Sequence, residues 1–157
     1  MGEYKVVPPG EGLVRDSVPG ETLYFKVRGD DTDGALDYFV LSVLPKSGPP
    51  LHTHHKQHEA LHFIKGRYKV QAGDDVFICE EGAFVYFPIG LKHAFVNLTD
   101  EPGECILTFT PGYTDRFFAE FGPAIRSFNG PPDPAVLAPI FAAHGWELNG
   151  PPLSPDD

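Results

Sequence analysis

The sequence is poor in cysteine, in basic residues and in long apolar runs, and each shortage excludes a class of protein. Its two cysteines, Cys79 and Cys105, form no CxxC pair and no disulfide framework. They are read as reduced, buried thiols, with a single bridge between them as the alternative. Only 12 Lys and Arg stand against 22 Asp and Glu, so the chain carries a net charge of −10. Such a charge repels phosphate backbones and anionic lipid surfaces, so neither nucleic acid nor membrane is expected as a partner. No stretch approaches the roughly 18 apolar residues of a membrane-spanning helix. The segment MGEYKVVPPGEG has neither the basic region nor the apolar region of a secretory signal. The expectation is a soluble cytoplasmic protein.

What is present supports one folded unit. At roughly 100–200 residues per domain, 157 residues make a single domain spanning 1–157. A hydrophobic share of 41% and an aromatic share of 13% supply a core, so wholesale disorder is excluded. Gly and Pro number 17 each, just short of a low-complexity composition, and mark frequent turns.

Residues 1–20 read as an extended lead-in. Strand patterns follow over 21–28, 35–44, 68–71, 76–79, 83–87, 93–98 and 105–110, with a hairpin signal at Ala72-Gly-Asp-Asp75. The run 35–44 is the most apolar and is placed centrally. Short strands with turns between them and no intervening helix indicate an all-β sandwich or barrel. Helix signals come only afterwards: 114–121, with Thr114 as cap and Gly122 at its end, and 133–144, with an Asp133 cap, Pro134 in the first turn and Gly145 as stop. Residues 149–157 read as a frayed tail.

The histidines carry the chemistry. Five of the seven lie between 52 and 62. His52 and His54 are two apart, so on a strand both imidazoles project from one face. Glu59 follows after a polar stretch, where a tight turn would return a carboxylate to the two rings. His93 lies 34 positions further on, after the Pro88-Ile-Gly90 turn. A lone histidine is most often a hydrogen-bonded structural residue. Three imidazoles with one carboxylate instead suit one divalent transition metal ion: Fe, Ni, Co, Mn, Cu or Zn. His55 and His58 are assigned to a turn at the barrel mouth. His62 has the opposite strand parity to Glu59 and is expected to face away, and His144 is expected on the surface of the second helix. Asn97 shares the parity of His93 and is given a backbone-bonding role. Phe63, Phe84, Tyr86, Phe95 and Phe109 are candidate pocket residues, each also a candidate for plain core packing.

Two segments resemble the cupin motifs. The first is Gly48-Pro-Pro-Leu-His52-Thr-His54-His-Lys-Gln-His-Glu59-Ala-Leu-His-Phe-Ile-Lys-Gly66, in which only three residues separate the leading Gly48 from His52. The second is Gly82-Ala-Phe-Val-Tyr-Phe-Pro88-Ile-Gly90-Leu-Lys-His93-Ala-Phe-Val-Asn97, which fits at every fixed position. Fifteen residues separate Gly66 from Gly82, as in small single-domain cupins. The resemblance implies a jelly-roll barrel over about 21–111, a helical extension over about 113–147, and His52, His54, Glu59 and His93 as metal ligands. Within the cupins, the His-rich first motif and the segment Thr110-Pro-Gly-Tyr-Thr-Asp-Arg-Phe-Phe-Ala-Glu-Phe121 resemble the small quercetin-dioxygenase-like proteins.

Three functions are compatible with such a site. The first is a dioxygenase that opens a flavonol-like or other small enolisable aromatic compound, with dioxygen as co-substrate and Glu59 as catalytic base. The second is a cupin isomerase, lyase or cyclase that works without dioxygen. The third is a non-catalytic module that binds a small ligand. The aromatic interior, with no Arg/Lys cluster for phosphate, favours a flat apolar molecule over a sugar phosphate. A homodimer is expected, paired through an exposed edge at 21–28.

Overall fold

The computed structural model describes residues 2–156, so Met1 and Asp157, the ends of the expected domain and tail, lie outside the described residues. Eleven strands and two helices follow one another as β1 (Leu13–Asp16), β2 (Glu21–Val27), β3 (Asp37–Val43), β4 (Pro50–His54), β5 (His58–Lys65), β6 (Tyr68–Ala72), β7 (Asp75–Cys79), β8 (Phe84–Phe87), β9 (His93–Asn97), β10 (Gly103–Thr110), α1 (Asp115–Arg126), α2 (Pro134–Ala143) and β11 (Trp146–Pro152). They form a six-stranded sheet in the order β1-β2-β3-β10-β5-β8 and a five-stranded sheet in the order β11-β4-β9-β6-β7. Every pairing is antiparallel. The two sheets enclose the core as a jelly-roll barrel, the fold that the two motifs lead one to expect.

Period-two alternation explains which side chains enter. In β3, Asp37, Phe39, Leu41 and Val43 are buried and the residues between them are not. In β2, Glu21, Leu23 and Phe25 are buried in the same way, so a carboxylate shares the inward face with two apolar side chains. The expected central strand is central, since β3 pairs with both β2 and β10. The expected edge at 21–28 is not an edge: β1, inside the lead-in that showed no pattern, covers β2.

The helices differ from expectation at their ends. Helix α1 runs through Gly122 and Pro123 to Arg126 instead of stopping at Gly122. Its apolar stripe of Phe117, Phe118, Phe121 and Ile125 continues past Gly122, and that burial outweighs the breaker signal. A side chain at position 122 would press on the Asp16 backbone of β1, so the glycine serves close packing and not termination. Thr114 makes no side-chain cap. Its hydroxyl and its N–H both donate to the buried Asp37 carboxylate (2.6 and 2.7 Å), which also accepts from Gly29 N–H at 2.7 Å. Helix α2 does start as expected, with Asp133 accepting from Ala135 N–H at 2.9 Å.

The first part of the expected frayed tail, residues 149–152, belongs instead to strand β11, paired with β4. Trp146 anchors it with 4% exposure, and the consecutive prolines at 151–152 are tolerated because β11 is the edge of its sheet. The helices are therefore an excursion between two barrel strands, and they close one mouth of the barrel with aromatic side chains.

Candidate metal centre

The chain does not return on itself as a hairpin after His54. It crosses from β4 in one sheet to β5 in the other, so Glu59 faces the histidines from the opposite wall. His52 lies directly across from His93 in the β4–β9 pairing. The turn that presents His93 is set by Pro88 and by Gly90, whose φ of 87° suits glycine, and Gly90 N–H donates to the His54 carbonyl at 2.9 Å. A Cβ at Gly48 would strike the Phe95 carbonyl, so a glycine there lets the chain entering β4 press against β9.

His52, His54, Glu59 and His93 bring four potential ligand atoms within 4.8 Å of one another, and all four residues are buried. Nε2 of His93 stands 2.8 Å from Oε2 of Glu59, and Nε2 of His54 stands 3.0 Å from the same oxygen. The second ring nitrogens explain the orientation. Nδ1–H of His52 donates to the Pro50 carbonyl at 2.6 Å, and Nδ1–H of His93 donates to the Leu91 carbonyl at 2.9 Å. Each ring so fixed turns its Nε2 lone pair inward, as a metal-ligating imidazole must. Phe87 stacks on His93, with centroids 4.1 Å apart and planes 11° apart, and Trp146 packs on His54.

The donor set fits a cation. Nδ1 of His54 is buried without a hydrogen-bond partner among the described residues, and its Nε2 has the Glu59 carboxylate beside it. Lone pairs from neutral imidazoles converge on a carboxylate, a repulsive arrangement unless positive charge sits among them. Burial and the neighbouring His93 and His54 hold His52 well below the ordinary imidazole range, so it favours the neutral, ligating form. Burial likewise lowers His54. Burial alone would raise Glu59, but the His93 charge and the contacts from His54 and His93 hold it well below the ordinary carboxylate range. Burial opposes protonation of His93, yet the Glu59 carboxylate beside it outweighs burial and raises the imidazole above its ordinary range.

The remaining histidines stand apart from the group. His55 is exposed and pairs with Glu147 at 2.8 Å. His58 is exposed at the start of β5, with Nδ1 2.6 Å from the Tyr86 hydroxyl. His62 is exposed, as its parity requires. His144 follows α2, half-buried against Phe117. Asn97 has the backbone role expected of it: its Nδ2 donates to the Val43 and Glu101 carbonyls at 3.1 and 3.0 Å.

An apolar chamber opens beside the four residues. Phe95 and Phe109 line it, as expected of them. Phe84 and Tyr86 do not: at 61% and 51% exposure they point outward from β8, whereas Phe87 points in. Phe63 is core, stacked on Tyr68. Sequence reasoning missed Trp146, the α1 aromatics Phe117, Phe118 and Phe121, and Glu21, all of which line the chamber. For Glu21 the signal was there, since it shares the inward parity of Leu23 and Phe25. The space is about 50 Å³ counted at the centres of water molecules. No Lys or Arg lines it among the described residues.

Comparison with known proteins agrees with the geometry. The family described as Cupin domain matches residues 39–109, the stretch that contains all four residues. No curated protein matches the sequence. Among solved structures, KdgF from Halomonas sp. is similar at 16% identity and a TM-score of 0.62, over 74% of this chain and 99% of that one. An RmlC-like cupin from Shewanella frigidimarina NCIMB 400 is similar at 16% identity and a TM-score of 0.61, over 74% and 99%. A protein described as a predicted oxalate decarboxylase from Thermotoga maritima is similar at 17% identity and a TM-score of 0.61, over 68% and 98%. At these identities the likeness concerns the fold. Residues 39–109 thus match the Cupin domain family, and the chain shares a barrel fold with these structures.

Proposed function

We propose that the protein is a metal-dependent cupin dioxygenase acting on a small enolisable compound. One observation carries this reading: a buried three-histidine, one-glutamate group opens onto an apolar chamber with no cationic side chain in its wall. A sugar phosphate or a small dianion would meet no counter-charge there beyond the centre itself. The chamber is small, which favours the smaller, single-ring members of the class over a three-ring flavonol.

A divalent ion held by His52, His54, Glu59 and His93 would supply Lewis-acid charge beside a substrate oxygen. Glu59 is ionised and takes the enol proton onto a carboxylate oxygen, leaving the substrate as an enolate. Phe95, Phe109, Phe117 and Trp146 keep water from the anion. The enolate is the electron-rich partner for dioxygen, both of whose atoms end in the product. A second reading, an isomerase or lyase that moves the same proton without dioxygen, is favoured by a second carboxyl, Glu21, on the chamber wall.

Two further parts of the reading concern the setting. Cys79 and Cys105 are free and buried, which fits a reducing cytoplasm. Among the described residues no helix is long and apolar enough to cross a membrane. Exposed Phe84 and Tyr86 on the edge strand β8, and Val76 and Ile78 on the edge strand β7 of the other sheet, offer apolar edges for a homodimer. Oxygen uptake by the purified protein with single-ring enols is the test. Uptake coupled to substrate loss, absent in Glu59→Gln, supports the dioxygenase. Turnover without oxygen consumption selects the isomerase or lyase.

A further inference from the structure

We propose that Glu21 is the second polar contact of the substrate: it hydrogen-bonds to one oxygen of a small, otherwise apolar molecule whose other oxygen faces the His52–His54–Glu59–His93 group. This rests on the proposed function and adds the shape of the ligand, two oxygen functions on a compact apolar body.

Glu21 lies on β2, with β3 and β10 between it and the Glu59 strand. It is 6% exposed, lines the same chamber, and its Oε1 is buried with no hydrogen-bond partner among the described residues. Leu23, Leu41 and Phe121 line the same chamber, and Ser17 is the polar neighbour of Glu21. A buried carboxyl with a vacant oxygen costs folding free energy, and a residue that only packed would be better as leucine. Its retention at an inward position between apolar neighbours fits a group whose partner arrives from outside. Burial, partly opposed by Ser17 and reinforced by the Glu59 charge, pushes its carboxyl up to about 8. At neutral pH it is therefore an uncharged acid, able to donate to a ketone or enolate oxygen.

The probe is cyclohexane-1,3-dione, one ring whose enol and ketone oxygens stand on non-adjacent carbons and point apart, and the protein is used with the metal it carries when purified. Calorimetry is expected to show the dione binding to the wild type, weakened about tenfold in Glu21→Leu and within about threefold in Glu21→Gln, which keeps a donor. Metal content and near-ultraviolet circular dichroism are expected to stay unchanged in both variants. Infrared difference spectra at pH 6.5 are expected to contain a protonated carboxyl band, missing in Glu21→Gln, that moves to lower frequency when the dione enters. Equal dione affinity in the wild type and Glu21→Leu, or a band unmoved by the dione, overturns the role of Glu21 and leaves the metal centre standing. A wild type that does not bind the dione overturns the substrate class, and this inference with it.

Discussion

The Trp146 indole packs edge-on against the His54 imidazole, with centroids 4.0 Å apart and planes inclined by 68°. Trp146 is the only tryptophan in the sequence, so its fluorescence reports on a single ring in contact with the candidate centre. Adding Co, Ni or Cu to metal-stripped protein is expected to quench that emission and to saturate at one equivalent. In His54→Ala the quenching is expected to be lost. Emission indifferent to metal would separate Trp146 from the centre.

Trp146 also fastens β11. Its Nε1–H donates to Gln57 Oε1 at 2.8 Å, and its ring touches Phe109, Phe117 and His52. Trp146→Phe keeps much of the packing but leaves Gln57 unpaired, and is expected to cost about 1–3 kcal/mol. Trp146→Ala is expected to cost about 3–5 kcal/mol in chemical denaturation. A loss below 1 kcal/mol in Trp146→Ala would show that β11 is dispensable.

Much of this site was legible because its logic is local. His52 and His54 share a face by parity alone, and Pro88 with Gly90 marks the turn before His93. The illegible parts depend on tertiary neighbours. A frayed reading of the C-terminal tail ignored what β4 offers: Trp146 and Leu148 fall opposite His54 and His52, and a buried tryptophan outweighs the glycine and prolines that follow it. Helix α1 passes Gly122 because Phe121 and Ile125 both reach the barrel. The outward turn of Phe84 and Tyr86 was visible in principle. Both have the opposite parity to Phe87, and β8 is only four residues long, too short for a pattern that declares itself.

Glu21 also yields a pH dependence whose sign is fixed. An unfolded glutamate has a pKa near 4.5, and the folded one is raised to about 8. Between these values the folded state holds the extra proton, so this residue makes stability fall as pH rises from about 5 to 8. Of the groups facing it, Cys105 is pushed up to about 12 and Tyr68 is also raised, so neither titrates in that window, and Glu59 stays ionised. Denaturation of the metal-free protein is expected to show Glu21→Gln gaining on the wild type across this range. A difference that does not change with pH would mean that the carboxyl is ionised throughout.

Glu59→Gln, compared with the wild type at equal metal content, separates holding a metal from moving a proton. The amide keeps the size of the side chain and loses the base. Turnover of an enol substrate is expected to fall by about 10²–10⁴-fold, with the fold intact by circular dichroism. Undiminished turnover would remove Glu59 from the proton transfer.

The central claim is that His52, His54, Glu59 and His93 hold one divalent ion. Metal analysis of protein purified without an affinity tag tests it most directly, with His93→Ala prepared alongside. The expected result is about one transition-metal ion per chain in the wild type and less than a tenth of that in His93→Ala. A wild type without stoichiometric metal, or a His93→Ala protein that retains it, would contradict the assignment.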